Sequence, residues 1–229
     1  MGRSKDIASG SKFVDTTGDT MTGNLGIGVA PSTSPLHVVG SSSGGFLGGG
    51  IRINDTNHSS DFFIGGGGTG SLQIASAAGA TRMVIDSSGR VTMPSNPVFQ
   101  AYNLSSGSSN TNQVFPNTRI NEGNHYSTST GRFTAPVAGK YLFGFGSIAN
   151  SANGTYRYYI RKNGSNIGTG HHLRVDTNET GSAYGTNATY TFPLALAASD
   201  YVNVFFIESN NGTATEGGDY AIFWGYLIG

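Results

Sequence analysis

The sequence predicts an all-β protein, and three observations carry that reading. Glycine supplies 36 of the 229 residues, roughly twice its usual share, and charged residues make up only 11%. Polarity comes instead from Ser, Thr, Asn and Gly, the residues of turns. The chain nevertheless holds 13 Phe and 11 Tyr, enough to build a core, so it does not read as disordered. Finally, no segment keeps a helical period; the nearest, "LALAASDYV" at 194–202, follows directly on an alternating strand.

The same composition excludes several partners and chemistries. The formal net charge is +0 and the Lys and Arg residues are scattered along the chain, so no nucleic acid is expected to bind. There are no cysteines, which removes disulfides and Cys-based zinc sites. The opening "MGRSKDIASGSKFVDTTGD" has no apolar signal-peptide region. No apolar run approaches the ~20 residues of a membrane span, so no membrane insertion is expected. Gly2 is followed by Asp6 where a myristoylation signal wants Ser or Thr.

Three zones follow one another. Residues 1–24 are polar and Gly/Thr-rich and read as an extended arm. Residues 25–97 are short apolar bursts cut by turn residues: "LGIGV", "PLHVVG", "FLGGGIRI", "DFFIGGGG" and "SLQIASAAGATRMVIDSSGRVTM". "DSSG" at 86–89 is a hairpin loop with Gly89 at the position that needs positive φ. Strands this short carry too little apolar surface for a good monomeric core and gain stability when copies wind round each other, which predicts an intertwined β shaft.

Residues 98–229 carry the stronger pattern. "GKYLFGFGSI" sets Tyr141, Phe143 and Phe145 on one face and Leu142 on the other. "YRYYIRKNG" sets Tyr156, Tyr158 and Ile160 against Arg157, Tyr159 and Arg161, then turns at Asn163 and Gly164. "ATYTFPLAL" puts Tyr190, Phe192 and Leu194 together. "DYVNVFFIES" and "YAIFWGYLIG" are apolar on both faces, and a strand of that kind must be covered on both. Self-association is the simplest cover.

At these residues the chain resembles the C1q-like domain of the C1q and tumour-necrosis-factor superfamily. The motif Tyr-x-x-x-Thr-Gly-x-Phe before a Pro-x-x-Gly-x-Tyr turn is matched by Tyr126, Thr130, Gly131, Phe133, Pro136, Gly139 and Tyr141. Phe223, Gly225, Tyr226 and Leu227 match the closing aromatic-x-Gly-aromatic-Leu strand. The resemblance implies a jelly-roll β-sandwich of about ten strands over 98–229, assembled as a homotrimer. The earlier zones resemble phage tail-fibre chains, in "TGDTMTGNL" at 17–25, "LGIGVAPSTSPLHV" at 25–38 and "MVIDSSGRVTM" at 83–93. That resemblance implies a short virion spike made in a bacterial cytoplasm. Its arm (1–24) would hold other tail or adaptor proteins, and its head would adhere to a host surface glycan or protein. A capsid head fibre with the head as a trimerisation clamp, a glycan-cleaving spike and a bacterial adhesin are the alternatives.

Sites of chemistry are few. The glycine runs lack the Gly-Lys-Ser/Thr and helix of a phosphate loop. His171 and His172, being adjacent, point to opposite faces of a strand and cannot share one ion, although three copies of one of them could meet on a trimer axis. "DTNETG" places Asp176, Asn178 and Gly181 at calcium-loop spacing, but the twelfth position is Asn187, not an acid; calcium at the apex of the head is therefore a resemblance-based option, and no cofactor is expected. No nucleophile motif, His-Glu-x-x-His or cysteine supports catalysis, so no enzyme is expected. The "NGT" triplets at 153–155 and 211–213 follow from the Asn/Thr/Gly richness and predict no glycosylation. The receptor-binding candidates are the irregular, Asn- and Tyr-bearing segments 176–187 and 209–219: Asp176, Asn178, Glu179, Tyr184, Asn187, Asn210, Asn211 and Glu216.

Overall fold

The computed structural model describes residues 25–27, 36–38, 50–53, 62–67, 70–76, 80–104, 110–148, 154–168, 172–177, 187–208 and 218–229. They fall into two compact units, Met1–Pro94 and Ser95–Gly229. Among them every regular element is a strand except one 3-10 turn, Glu122–Asn124.

In the first unit, β1 (Leu25–Ile27) and β2 (Leu36–Val38) pair in parallel. Then β3 (Gly50–Ile53), β4 (Phe62–Gly67), β5 (Ser71–Ser76), β6 (Thr81–Ile85) and β7 (Val91–Thr92) form an antiparallel meander in chain order. The register aligns Ile64, Ile74 and Met83 in one row and Leu72, Ile85 and Val91 in a neighbouring row of the same face. That face is apolar, yet Leu72 remains 47% and Val91 53% exposed. The β6–β7 loop closes as the sequence predicts. Gly89 takes φ 80° and its N–H donates to the Asp86 carbonyl at 2.9 Å. The Asp86 carboxylate accepts from the N–H groups of Ser88 (2.8 Å) and Arg90 (2.9 Å) and from Arg90 Nε (2.6 Å). These bonds, the Arg90 amide foremost, hold its pKa below the ordinary value.

The second unit is a two-sheet jelly roll. Its strands are β8 (Val98–Leu104), β9 (Thr111–Asn112), β10 (Asn117–Asn121), β11 (Tyr126–Ser127), β12 (Arg132–Thr134), β13 (Gly139–Ile148), β14 (Gly154–Lys162), β15 (Ser165–Asn166), β16 (His172–Thr177), β17 (Asn187–Leu196), β18 (Tyr201–Glu208) and β19 (Gly218–Leu227). These are twelve rather than about ten, because three of them (β9, β11 and β15) are two-residue pairings at the margins of the second sheet. The first sheet runs β10-β8-β19-β13-β17; the second runs β11-β12-β18-β14-β15, with β16 also on β14 and β9 on β18.

Alternation explains the core. Tyr141, Phe143 and Phe145 of β13 are fully buried, as are Phe99 and Ala101 of β8 and Phe223 of β19. From the second sheet Phe133, Val202, Val204 and Phe206 meet them, with Tyr156, Tyr158 and Ile160 on the buried face of β14 as the alternation predicts. Each large side chain so buried contributes about 1.5–3 kcal/mol of transfer free energy, and ring pairs at 4.9–5.6 Å tie the sheets together. Two tyrosine hydroxyls brought inside are satisfied locally. The Tyr126 hydroxyl accepts from the Phe115 N–H (3.2 Å) and donates to the Phe115 carbonyl (3.4 Å), and burial raises its pKa. The Tyr141 hydroxyl donates to the Val137 carbonyl at 2.8 Å, which fastens the Pro-Val-Ala-Gly turn to the strand it feeds.

Two turns show why particular residues occur where they do. Asn163 (φ 51°) and Gly164 (φ 80°) form the two-residue β14–β15 hairpin. Beside it, Asp200 accepts from Lys162 Nζ (2.7 Å), Asn163 Nδ2 (2.7 Å) and the Ala197 N–H (2.7 Å), while the Tyr201 N–H donates to Asn163 Oδ1 (2.9 Å). The Lys162 ammonium, then Asn163 and the Ala197 amide, bring the Asp200 pKa down to about 2. Gly131 sits at φ 69°, and a Cβ there would collide with the Gln113 carbonyl oxygen.

Gly131→Ala is therefore expected to destabilise the second unit by more than about 1 kcal/mol, from the left-handed backbone alone, as read by urea unfolding. Asp200 has a folded pKa below its unfolded value of about 3.9, so its contribution is complete above about pH 4 and is lost as pH falls towards 2. The stability difference between the parent and Asp200→Asn should be constant above about pH 4 and close below it; a pH-independent difference would contradict this.

Candidate functional site

The sequence-derived receptor candidates stand mostly outside the described residues. Asn178, Glu179, Tyr184, Asn210, Asn211 and Glu216 all lie there. Of the remaining two, the backbone alone is placed: Asp176 opposite Thr155 in the β14–β16 pair, and Asn187 opposite Ile148 in the β13–β17 pair. The strand ends that flank both segments share one end of the sandwich. Gly218 pairs with Leu104, Asn187 with Ile148, and Thr177 with Gly154. At the opposite end Val98 pairs with Tyr226, and Gly139 with Leu196. His171 lies outside the described residues, and His172 stacks on Tyr159 (5.6 Å between centroids, 25° between planes). No group of three or more metal-ligating side chains occurs among the described residues.

Alternation also places a second set of side chains outside each sheet, and the two outer faces differ chemically. On the first sheet, the row Ile120–Gln100–Trp224–Gly144–Thr191 crosses all five strands, and the next rows hold Val98, Tyr226, Leu142 and Pro193, or Tyr102 and Ile222. The face is rich in rings; among the described residues its charges are Lys140 at one end and Arg119, whose guanidinium lies 4.3 Å over the Tyr102 ring. Trp224 lies on Gly144, so closely that a Cβ there would collide with the indole, and its ring stacks with Tyr226 (6.1 Å, 11°). Ile120 is 48% and Tyr226 40% exposed, so the described residues leave this face uncovered.

On the second sheet, Arg132 and Arg161 lie in one row on either side of Asn203, followed by a row of Phe205, Tyr159 and His172 and then one of Arg157 and Arg174. The Arg161 guanidinium lies 3.2 Å over the Phe205 ring and donates from Nε to Asn166 Oδ1 at 2.9 Å. Arg132 lies 4.3 Å over the Tyr201 ring, and its Nε is buried without a hydrogen-bond partner. Asn203, buried between them, donates to Asn112 Oδ1 at 2.8 Å. Burial lowers the Arg161 pKa and the nearby Tyr201 partly offsets this. Arginines that stand singly in the sequence are thus gathered by strand register. The alternation of Arg157, Tyr159 and Arg161 was the visible signal, but Arg132 and Arg174 join it only through long-range pairing.

Comparison with known proteins follows the same division. A model of the C1q domain matches residues 98–228. Among solved structures, the globular domain of zebrafish complement 1qA is similar at 20% identity and a TM-score of 0.44, over 58% of this chain and 98% of that one. Murine APRIL at pH 8.0 is similar at 11% identity and a TM-score of 0.43, over 58% of this chain and 99% of the other. No curated protein matches. With a two-sheet jelly roll over these residues, and the family model covering more than half of its length, this chain belongs to the C1q domain family.

Proposed function

We propose that the protein is a homotrimeric fibre or short spike of a bacteriophage, with the C1q domain as its host-binding head. The observation that carries the assembly is the uncovered apolar face of the first sheet around Trp224, Tyr226 and Leu142. Such a face costs free energy in water, on the order of 25 cal/mol per Å² left unburied, and copies of the same chain would cover it. Domains of this family commonly form homotrimers. The exposed Leu72 and Val91 on the apolar face of the β3–β7 meander make the same demand in the preceding unit, where winding of three copies gives the shaft.

The virion role is supported by the fibre-like patterns at 17–38 and 83–93 ahead of such a head. In this reading residues 1–24 attach the spike to tail or adaptor proteins. The segments 176–187 and 209–219 leave the end of the head remote from where the chain enters it, and they contact a glycan or protein of the host surface. Mechanistically the protein is a multivalent binder. Three heads per spike raise the effective concentration of each weak contact after the first has formed.

Light scattering of the purified chain should give three times the monomer mass, and a monomer in dilute solution would sink the proposal. Gly144→Val should displace Trp224 and weaken the trimer. Because the chain has a single tryptophan, its emission should shift to the red as that face becomes wet. A 98–229 fragment should block adsorption of the particle to cells. A fragment that is trimeric but leaves adsorption unchanged would favour a capsid-clamp role instead.

A further inference from the structure

We infer that the outer face of the second sheet is a separate binding site for acidic polysaccharide, centred on Arg132 and Arg161. The two arginines flank Asn203 on adjoining strands, so their backbones stand about 10 Å apart, two strand spacings. Neither has a carboxylate partner among the described residues. Each already lies over a ring, Arg132 over Tyr201 and Arg161 over Phe205, so less ordering remains to be done when a ligand arrives. Asn166 occupies the Arg161 Nε, leaving the two terminal nitrogens as a fork for a carboxylate.

Charge balance sharpens the position. At the other end of the face, Glu208 is the backbone partner of Arg157, and Asp176 follows Arg174 by two residues along β16. The Arg132 and Arg161 end has no acid at its outward register positions among the described residues. Asp200, nearby in sequence, is engaged by Lys162 at the sandwich end. The excess of positive charge is local and small. Nucleic acid fits it poorly, because stable phosphate-backbone binding needs a longer basic track and this chain is neutral overall. A uronate polymer fits better. Its carboxylates recur between hydroxyl-bearing rings, and this face offers guanidinium forks beside the half-buried rings of Tyr159, Tyr201 and Phe205. In the trimer proposed above the first sheet would be covered and this face would remain outside, but the site itself does not depend on the virion role.

The test is calorimetry of the full chain with oligomers of galacturonate, glucuronate-containing hyaluronan and mannuronate. Neutral galactan oligomers, inorganic phosphate and duplex DNA are the controls. Saturable binding to at least one uronate polymer, weakened by salt, is expected, with none to galactan. Arg161→Gln and Arg132→Gln should each reduce affinity about tenfold or more, as loss of a charge-assisted bidentate pair does. Arg161→Lys should retain only part of the affinity, because it keeps the charge and loses the fork. Lys140→Gln, on the first sheet, should change nothing. Circular dichroism and light scattering establish that each variant is folded and of parental size; if Arg132→Gln fails to fold, Arg161→Gln and Arg161→Lys decide. Three outcomes overturn the inference: no uronate binds, galactan or DNA binds as well as uronate, or uronate affinity is unchanged in folded Arg161→Gln.

Discussion

The head depends on the ring of Phe99. It comes from the first sheet and stacks against Tyr126 (5.0 Å, 5°) and Phe133 (4.9 Å, 16°) of the second, while meeting Phe223 edge-on at 5.0 Å. One side chain thus joins the lead-in strand, the turn motif and the closing strand, which lie far apart in sequence. Around it Phe143, Phe192 and Tyr141 extend the same packing along the first sheet. A chain with so few aliphatic residues obtains its core density from interlocking rings. Rings tolerate little displacement, which is why the neighbouring backbone is made of glycines such as Gly225, where a Cβ would press on Phe143 and Phe99.

Strand periodicity turns that interior into two exteriors. Every ring directed inward sends its neighbour outward, so the core sequence determines what each sheet presents to solvent. On the first sheet the outward residues are mostly uncharged and include several rings, and Trp224 lies down on Gly144 rather than standing clear. On the second they are arginines laid over rings. Guanidinium groups and indoles serve different contacts: a ring-rich apolar patch suits a copy of itself, whereas planar cations need a partner that brings anions. Assembly and recognition can therefore occupy opposite sides of one sandwich without competing.

Much of this was legible in the sequence where the signal was local. The period-two faces of 139–148 and 154–162, the Asn163-Gly164 hairpin and the Gly89 turn are properties of neighbouring residues, and they appear as expected. The Tyr126-to-Tyr141 motif identified the family because its residues meet in one ring cluster. The arginine face was not legible, because Arg132 and Arg161 become neighbours only through β18, which pairs with both strands. Nor could spacing reveal that Asp200 holds the β14–β15 hairpin, since Asn163 lies 37 residues away and Lys162 one further. The receptor candidates rested on irregularity, on Asn and Tyr content and on the distal position that the resemblance implies, none of which tells what lies beside them in space.

The pairing of Gly218 with Leu104, Asn187 with Ile148 and Thr177 with Gly154 has a consequence for how this scaffold can change over generations. Segments 178–186 and 209–217 are bracketed by strands whose register is set by the ring core and by the Asp200 cluster at the far end. Doubling the length of such a segment adds only about 0.6 kcal/mol of closure entropy. Insertions, deletions and wholesale replacement there can accumulate without disturbing Phe99 or its partners. The scaffold can thereby explore new surfaces at one pole while the other pole keeps its connection to the rest of the chain.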